Sequence, residues 1–333
     1  MKCNGKMRAM SQPTPTPILT PAVPPALTFV IPCYNEEEVL PETAKRLAAL
    51  MDELAQQGLA RDIRTTFVDD GSKDRTWALI AAQAAADPRF HGIKLAHNRG
   101  HQNALLAGLM SEPGEVLISL DADLQDDLGV IPAMLEQHRT GAQIVYGVRA
   151  NRESDTPFKR GTARIYYRLL QLLGVEVIPD HADYRLMSRA ALDALAQYGE
   201  VNLYLRGIIP QLGFKTARVP YTRQARFAGT TKYPLRRMLA LALDGITSFS
   251  AVPLQLITFA GFLISVIALL LGFWTIFQKL FLGGTQPGWA STIVSIYLLG
   301  GMQLMALGII GTYLAKIYAE TKRRPRFIIE QQL

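Results

Sequence analysis

The sequence contains very little cysteine, with only Cys3 and Cys33 among 333 residues. Two cysteines do not imply the disulfide framework of a small secreted protein, and this agrees with a reducing compartment. Residues 1–26 contain six prolines and no apolar run long enough for a signal sequence. We therefore expect a disordered proline-rich arm over residues 1–26.

The sequence also lacks both common glycine-rich phosphate motifs, G-x-G-x-x-G and G-x-x-x-x-G-K-[ST]. This excludes a Rossmann dinucleotide fingerprint and a Walker loop. Any phosphate groups must therefore be held by other means, of which a divalent cation on carboxylates is the simplest.

Charged residues are absent from two long stretches, 245–278 and 280–315. Each exceeds the roughly 20 residues that a helix needs to cross a bilayer, and a glycine-rich break at 283–288 separates them. The sequence thus predicts two transmembrane helices within residues 249–316. A basic tail follows over residues 317–333.

Basic residues flank these spans on one side only. Lys232, Arg236 and Arg237 precede the first span and the basic tail follows the second, whereas the connecting loop carries only Lys279. Since basic flanks stay in the cytoplasm, both termini and the globular part should be cytoplasmic, as in a multi-pass protein of the inner cell membrane. The formal charge of +7 suits anionic lipid or phosphorylated substrates, and we expect no nucleic-acid partner.

Apolar runs alternate with helical patterns through residues 27–232, which we assign to one α/β domain. The runs lie at residues 27–32, 65–68, 91–95, 116–120 and 143–148. Such alternation predicts a parallel doubly wound sheet. Each run ends in polar residues, and ligands bind at the carboxyl edge of sheets of this kind.

The fourth run ends in Asp121-Ala122-Asp123-Leu124-Gln125. In extended backbone Asp121, Asp123 and Gln125 leave on the same face, so their oxygens can converge on Mg²⁺ or Mn²⁺. Such an ion keeps positions open for substrate phosphates and neutralises their charge. The alternative is a solvated turn after a strand.

Several motifs together resemble a known family. Pro32-x-Tyr34-Asn35-Glu36, Val68-Asp69-Asp70-Gly71-Ser72 and the Asp121 to Gln125 motif look like glycosyltransferase family 2 enzymes of the GT-A fold. The likeness is strongest to polyprenyl-phosphate glycosyltransferases, which include dolichyl-phosphate mannose synthases and bactoprenol glucosyltransferases. It continues through residues 145–149, 183–187, 205–207 and 226–234.

The resemblance implies inverting transfer of a sugar from a nucleoside diphosphate sugar to a lipid phosphate at the cytoplasmic membrane face. A homo-oligomer is a candidate assembly, and the oligomeric state is open. The residues it assigns to the donor nucleotide are Pro32, Tyr34, Asn35, Glu36, Asp69, Asp70 and Asn98. Those assigned to the metal and diphosphate are Asp121, Asp123 and Gln125. Those assigned to the diphosphate or acceptor phosphate are Arg149, Arg185, Arg206, Arg226 and Lys232, the last two in a closing loop.

Two segments depart from the family pattern. Relatives commonly carry Asp-Thr-Gly-Asp where this chain has residues 180–183, and Asn-Phe-Gly-Lys where it has residues 98–101. Asp180 and Asp183 are catalytic candidates, and whether either acts as a base is open. A phosphate monoester is largely dianionic at pH 7 and needs no strong base. His97 and His101 are interpreted as surface histidines rather than a metal pair.

Two segments have the basic amphipathic pattern of helices that lie in the membrane interface. Residues 158–173 could form such a helix or an ordinary surface helix over the core. Residues 233–248, directly before the first span, are assigned to an interfacial helix.

The sequence as a whole favours transfer of a hexose, glucose above all, from a UDP-sugar to undecaprenyl phosphate. Other donors of the GDP-mannose or UDP-aminoarabinose type are alternatives for the same reaction. A membrane-bound sensor that binds a sugar nucleotide without turnover is a rival from another class. A lipid-sugar translocase is disfavoured, because two helices leave little room for a polar path through hydrocarbon.

Overall fold

The computed structural model describes residues 23–150, 181–201, 204–222, 252–277, 281 and 288–333. Most of the proline-rich arm, the two amphipathic segments, and Asp180, Arg226 and Lys232 lie outside these residues. Their predicted roles therefore stay predictions.

Strands and helices alternate from the first described strand onward. The strands are β1 Ala26–Cys33, β2 Arg61–Asp69, β3 Phe90–Leu95, β4 Val116–Ser119, β5 Ile144–Arg149, β6 His181–Ser188, β7 Thr216–Tyr221 and β8 Ile329–Gln332. The helices are α1 Leu40–Gln56, α2 Thr76–Ala86, α3 His101–Ser111, α4 Ile131–Arg139, α5 Arg189–Ala196, α6 Leu205–Gln211, α7 Val252–Phe277 and α8 Trp289–Thr321.

These strands form one sheet in the order β7-β5-β6-β4-β1-β2-β3-β8. Strands β3, β2, β1 and β4 are mutually parallel, as predicted. The expectation of a wholly parallel sheet is wrong, because β6 runs antiparallel between β4 and β5, and β8 runs antiparallel along β3. Since β6 starts at the edge where β4 ends, its first residues face the same crevice as Asp121.

Helices cover both faces of the sheet. The amphipathic helix α1 buries Leu40, Leu47 and Leu54 against one face. Helix α3 packs on the other face, where a Cβ at Gly108 would lie 2.8 Å from Val68 Cγ2. That distance is shorter than an ordinary contact between two carbons. A glycine at position 108 therefore lets α3 lie close to the strands.

Helices α7 and α8 are long and apolar enough to cross a membrane. Their apolar spans cover Val252–Leu271 and Leu298–Thr321, and none of the described side chains in these spans is buried. Large apolar side chains such as Phe259, Phe262, Leu270, Leu304 and Leu307 are exposed. Exposed apolar surface of this extent is typical of helices that contact lipid.

The final residues do more than form a tail. Helix α8 continues to Thr321, and β8 then pairs with β3 at the edge of the sheet. The Leu333 amide donates to Gly92 O at 2.9 Å, and the Lys94 ammonium lies 3.1 Å from the Glu330 carboxylate. The segment predicted as a basic tail thus includes a strand that pairs with the globular domain.

Candidate active site

Asp183 lies at the centre of an ion cluster at the carboxyl edge of the sheet. Arg185 Nη2 donates to Asp183 Oδ1, while Arg206 Nε and Nη2 lie 3.3 and 3.1 Å from Asp183 Oδ1 and Oδ2. Burial alone would raise the pKa of Asp183, but the hydrogen bond with His101 and the charges of Arg185 and Arg206 hold it well below its ordinary value. Asp183 is therefore ionised, and a carboxylate with so low a pKa is a weak base.

Arg185 was assigned to the diphosphate or acceptor phosphate, but its side chain is buried in this structure. Its side chain is only 1% exposed, and its Nε and Nη1 have no hydrogen-bond partner among the described residues. Contact with a phosphate would require this side chain to become accessible. In this structure Arg185 instead compensates the charge of Asp183 beneath the crevice, whereas Arg206 is 37% exposed and can reach a ligand.

His101 connects the ion cluster to the acidic motif. Its Nε2 lies 3.5 Å from Asp121 Oδ1 and 3.4 Å from Asp183 Oδ2. Burial would lower the pKa of His101, but the contacts with Asp183 and Asp121 raise it overall. The His101 side chain is 42% exposed, in agreement with its interpretation as a surface histidine, but the sequence interpretation missed its contacts with the two carboxylates. Its position as the first residue of a helix after a strand end was the available signal.

The turn that carries His101 is held by Asp70. The Asp70 carboxylate accepts hydrogen bonds from the amides of Arg99 and Gly100 at 2.6 and 2.9 Å. Gly100 has a φ of 86°, which an L side chain rarely adopts. Asp70 is buried, and its carboxylate stabilises this turn. Its direct contact with a nucleoside stays a prediction.

The acidic motif fits a divalent cation with open coordination positions. Burial raises the pKa of Asp121, and the charges of Asp183 and Asp123 raise it further, so this edge concentrates negative charge that a cation would relieve. Leu124 has a φ of 57°, and the Gln125 amide donates to Asp123 Oδ1 at 3.2 Å. The described residues contain no ready-made cluster of three or more His, Cys, Asp or Glu ligands. Residues 121–125 form a turn and not the extended backbone that was predicted. Asp121, Asp123 and Gln125 still offer oxygen ligands of the kind that Mg²⁺ or Mn²⁺ takes when it also binds substrate phosphates, and their coordination of a metal stays a prediction.

The turn after β1 forms the opposite end of the crevice. Asn35 has a φ of 55°; its amide donates to Ser72 Oγ at 2.9 Å and its Oδ1 accepts from the Lys73 amide at 2.8 Å. Asp69 is buried, accepts from the Ser72 amide at 3.1 Å, and keeps Oδ2 without a partner among the described residues. Tyr34 is 42% exposed, which leaves its ring available for stacking on a base.

The remaining donor candidates also flank this crevice. Pro32 lies in β1, Glu36 donates its amide to Thr76 Oγ1 at 2.9 Å, and Asn98 is exposed in the turn after β3. The sequence-predicted nucleotide residues are thus brought together at one sheet edge, although their contacts with a ligand stay predictions.

Asp126 is a functional candidate that the sequence did not single out. The Tyr221 hydroxyl donates to Asp126 Oδ1 at 2.6 Å, and Asp126 Oδ2 is buried without a partner among the described residues. Burial and the charge of Asp121 raise the pKa of Asp126 to about 6. Arg149 ends β5 nearby, and its Nε likewise has no described partner.

Comparison with known proteins gives the family. Residues 28–196 match the model of glycosyl transferase family 2. The uncharacterized glycosyltransferase YkoT of Bacillus subtilis is 51% identical over 93% of this chain and 92% of its own length. The bactoprenol glucosyl transferase of Shigella phage SfV is 37% identical over 92% of this chain and 98% of its own length.

Among solved structures, the mannosyltransferase PcManGT from Pyrobaculum calidifontis, in complex with GDP-Man and Mn²⁺, is similar over 91% of this chain and 88% of its own, at 18% identity and a TM-score of 0.42. Likeness of that degree carries no information on substrate or metal. The mixed α/β sheet agrees with the predicted GT-A fold. The family match and the relatives together show that the chain is a glycosyltransferase enzyme and belongs to glycosyl transferase family 2.

Proposed function

We propose that this enzyme transfers glucose from UDP-glucose to a polyprenyl phosphate, undecaprenyl phosphate in particular, with inversion at the anomeric carbon. The observation that carries the proposal is the ion pair between Arg206, which is 37% exposed, and the ionised Asp183 beside Asp121. The same chain has two helices that are long and apolar enough to cross a membrane. The bactoprenol glucosyl transferases named among its relatives support the same acceptor and sugar.

Asp121, Asp123 and Gln125 would hold Mg²⁺ or Mn²⁺. The bound ion would supply electrostatic stabilisation of the departing diphosphate. His101 positions the Asp121 carboxylate from the side of the ion cluster. Tyr34, Asn35, Glu36, Asp69, Asp70 and Asn98 would form or support the nucleoside pocket.

Arg206 and Arg149 would bind the acceptor phosphate. Asp183 holds the Arg206 guanidinium through both of its oxygens, so the outward N–H groups of that planar fork are oriented before a ligand arrives. The acceptor dianion needs no strong base, and the low pKa of Asp183 agrees with a base-free attack. Asp180 stays a candidate base, and Arg226 and Lys232 stay candidates for closing over the diphosphate.

We further propose that α7 and α8 anchor the enzyme in the cytoplasmic membrane, with the catalytic domain on the cytoplasmic side. The basic flanks support this orientation. The pairing of β8 with β3 supports a C-terminus on the same side of the membrane as the catalytic domain.

The test is a panel of radiolabelled UDP- and GDP-sugars incubated with purified membranes, followed by extraction of lipid. Label from UDP-glucose should enter the lipid fraction only when polyprenyl phosphate and a divalent metal are present. If only a GDP-sugar or a UDP-aminoarabinose-type donor labels the lipid, that donor takes the place of UDP-glucose in the proposed reaction. If a nucleotide sugar binds but no combination gives transfer, the result would favour the sensor and contradict the proposed reaction.

A further inference from the structure

The end of the second long helix is tied to the segment that leads to Arg206. The Val201 amide donates to both carboxylate oxygens of Glu320, at 2.9 and 2.8 Å. Arg326 Nη2 donates to the Tyr198 carbonyl oxygen. These contacts fasten residues 198–201 to the chain on both sides of the helix end at Thr321.

Strand β8 completes the attachment. Ala96 N donates to Ile328 O at 3.0 Å, and β8 pairs with β3 over three described partners. Phe327 and Ile329 pack against the apolar cluster that contains Leu205 and Ile208 of α6. The helix end is thus held by hydrogen bonds at residues 198–201, and the segment that follows it is held by pairing with β3 and by apolar contacts with this cluster.

Helix α6 begins shortly after residues 198–201 and contacts the active site. The Leu205 amide donates to Gln102 Oε1 at 2.9 Å, next to His101, and the following residue is Arg206. The amide bound by Glu320 is therefore only five residues before the guanidinium that pairs with Asp183. Residues 202–203 lie outside the described residues, and on their two sides Val201 contacts the end of α8 while Arg206 contacts Asp183.

We propose that Glu320 and Arg326 are positioning residues that hold Arg206 at a fixed height above the membrane surface for a phosphate carried by an embedded lipid. This inference rests on the proposed function. A lipid phosphate is confined to the head-group layer and must meet its cation there, whereas a soluble phosphate can approach Arg206 from solution. The two kinds of acceptor should therefore depend on the attachment to different degrees.

The experiment compares two acceptors on full-length enzyme in proteoliposomes. One is undecaprenyl phosphate in the bilayer, and the other is the short, water-soluble geranyl phosphate. Glu320→Ala and Arg326→Ala should each lower kcat/KM for the embedded acceptor by about tenfold, as expected for loss of a charge-assisted hydrogen bond, with little change for the soluble one. Glu136→Ala, which removes an exposed ion pair with Arg139 on α4, is the matched control and should change neither.

Hydrogen exchange supplies a readout independent of activity, since the Val201 amide should exchange faster in Glu320→Ala and not in the control. Equal loss with both acceptors would make the attachment a general stability element and overturn the inference. Unchanged rates with the embedded acceptor would overturn it as well. Failure of the proposed function is distinguishable, because wild-type enzyme would then glycosylate neither acceptor.

Discussion

Replacing Asp183 with asparagine removes the charge that compensates Arg185. Arg185 is 1% exposed and the Asp183 side chain 8%, so the guanidinium would be left buried without a counter-charge. Breaking a buried pair in this way costs about 3–5 kcal/mol. For a domain of this size each kcal/mol lowers the melting temperature by roughly 2–4 °C, so Asp183→Asn should lower it by about 6–20 °C.

The assay is thermal unfolding of the full-length protein in detergent, followed by intrinsic fluorescence. The double variant Asp183→Asn/Arg185→Met removes both members of the pair and should recover most of the loss, because an apolar side chain of similar volume is tolerated in a buried site. Glu136→Gln, at an exposed ion pair, should leave the melting temperature unchanged.

The pH dependence follows from the direction of the pKa shift. The pKa of Asp183 is depressed by folding, so its stabilisation is present above the unfolded value near 3.9 and is lost as pH falls through the folded value. The difference between wild type and Asp183→Asn should therefore be present at pH 5, and it should shrink as pH rises through the folded pKa of His101, because the contact with Asp183 raises that pKa. A single variant as stable as wild type, or a double variant no better than the single one, would refute the buried-pair account.

Further predictions concern neighbouring residues. His101→Ala should lower kcat/KM by about tenfold, measured as initial rates of lipid glycosylation, because the Asp121 carboxylate loses a positively charged neighbour; an unchanged rate would remove His101 from the site. Asp126→Asn should stabilise the metal-free protein at pH 7 by up to about 3 kcal/mol, since folding raises the pKa of Asp126 to about 6 from roughly 3.9 and deprotonation therefore opposes folding. That gain should vanish below about pH 4 in unfolding measurements, and a gain independent of pH would contradict its cause. Gly108→Ala should destabilise by about 1–3 kcal/mol, because its Cβ would lie 2.8 Å from Val68 Cγ2; wild-type stability in thermal unfolding would contradict this close packing.

Local pattern predicted most of the domain. The apolar runs at 27–32 and 91–95 become β1 Ala26–Cys33 and β3 Phe90–Leu95, within one residue at each end. The helical pattern that follows the first run becomes α1, whose buried face includes Leu40, Leu47 and Leu54. Such elements are predictable because period-2 and period-3.6 patterns report directly which side chains are buried.

Strand direction and long-range contacts could not be predicted in this way. The apolar content of β6 is the same whichever way it runs, so its antiparallel insertion beside β4 was missed, and with it the contact between His101 and Asp183. Asp183 and Arg185 are two apart and share a face of the strand, which the sequence does indicate, but the sequence spacing does not report that Arg185 is buried. Strand β8 has the mostly polar sequence Ile-Glu-Gln-Gln, which has no apolar pattern that would predict a strand. Its extended conformation is stabilised by hydrogen bonds to the edge strand β3.

The measurement that tests the central claim most directly is the mass of the lipid product in a defined reaction. Purified enzyme, UDP-glucose, undecaprenyl phosphate and Mg²⁺ or Mn²⁺ should give one hexose per lipid phosphate and one UDP per hexose transferred. Asp121→Ala and Asp123→Ala should reduce this rate by about 10²–10³-fold or more, because the stabilisation of the leaving diphosphate is lost. UDP released without glycosylated lipid, or product formed equally well by Asp121→Ala, would contradict the account.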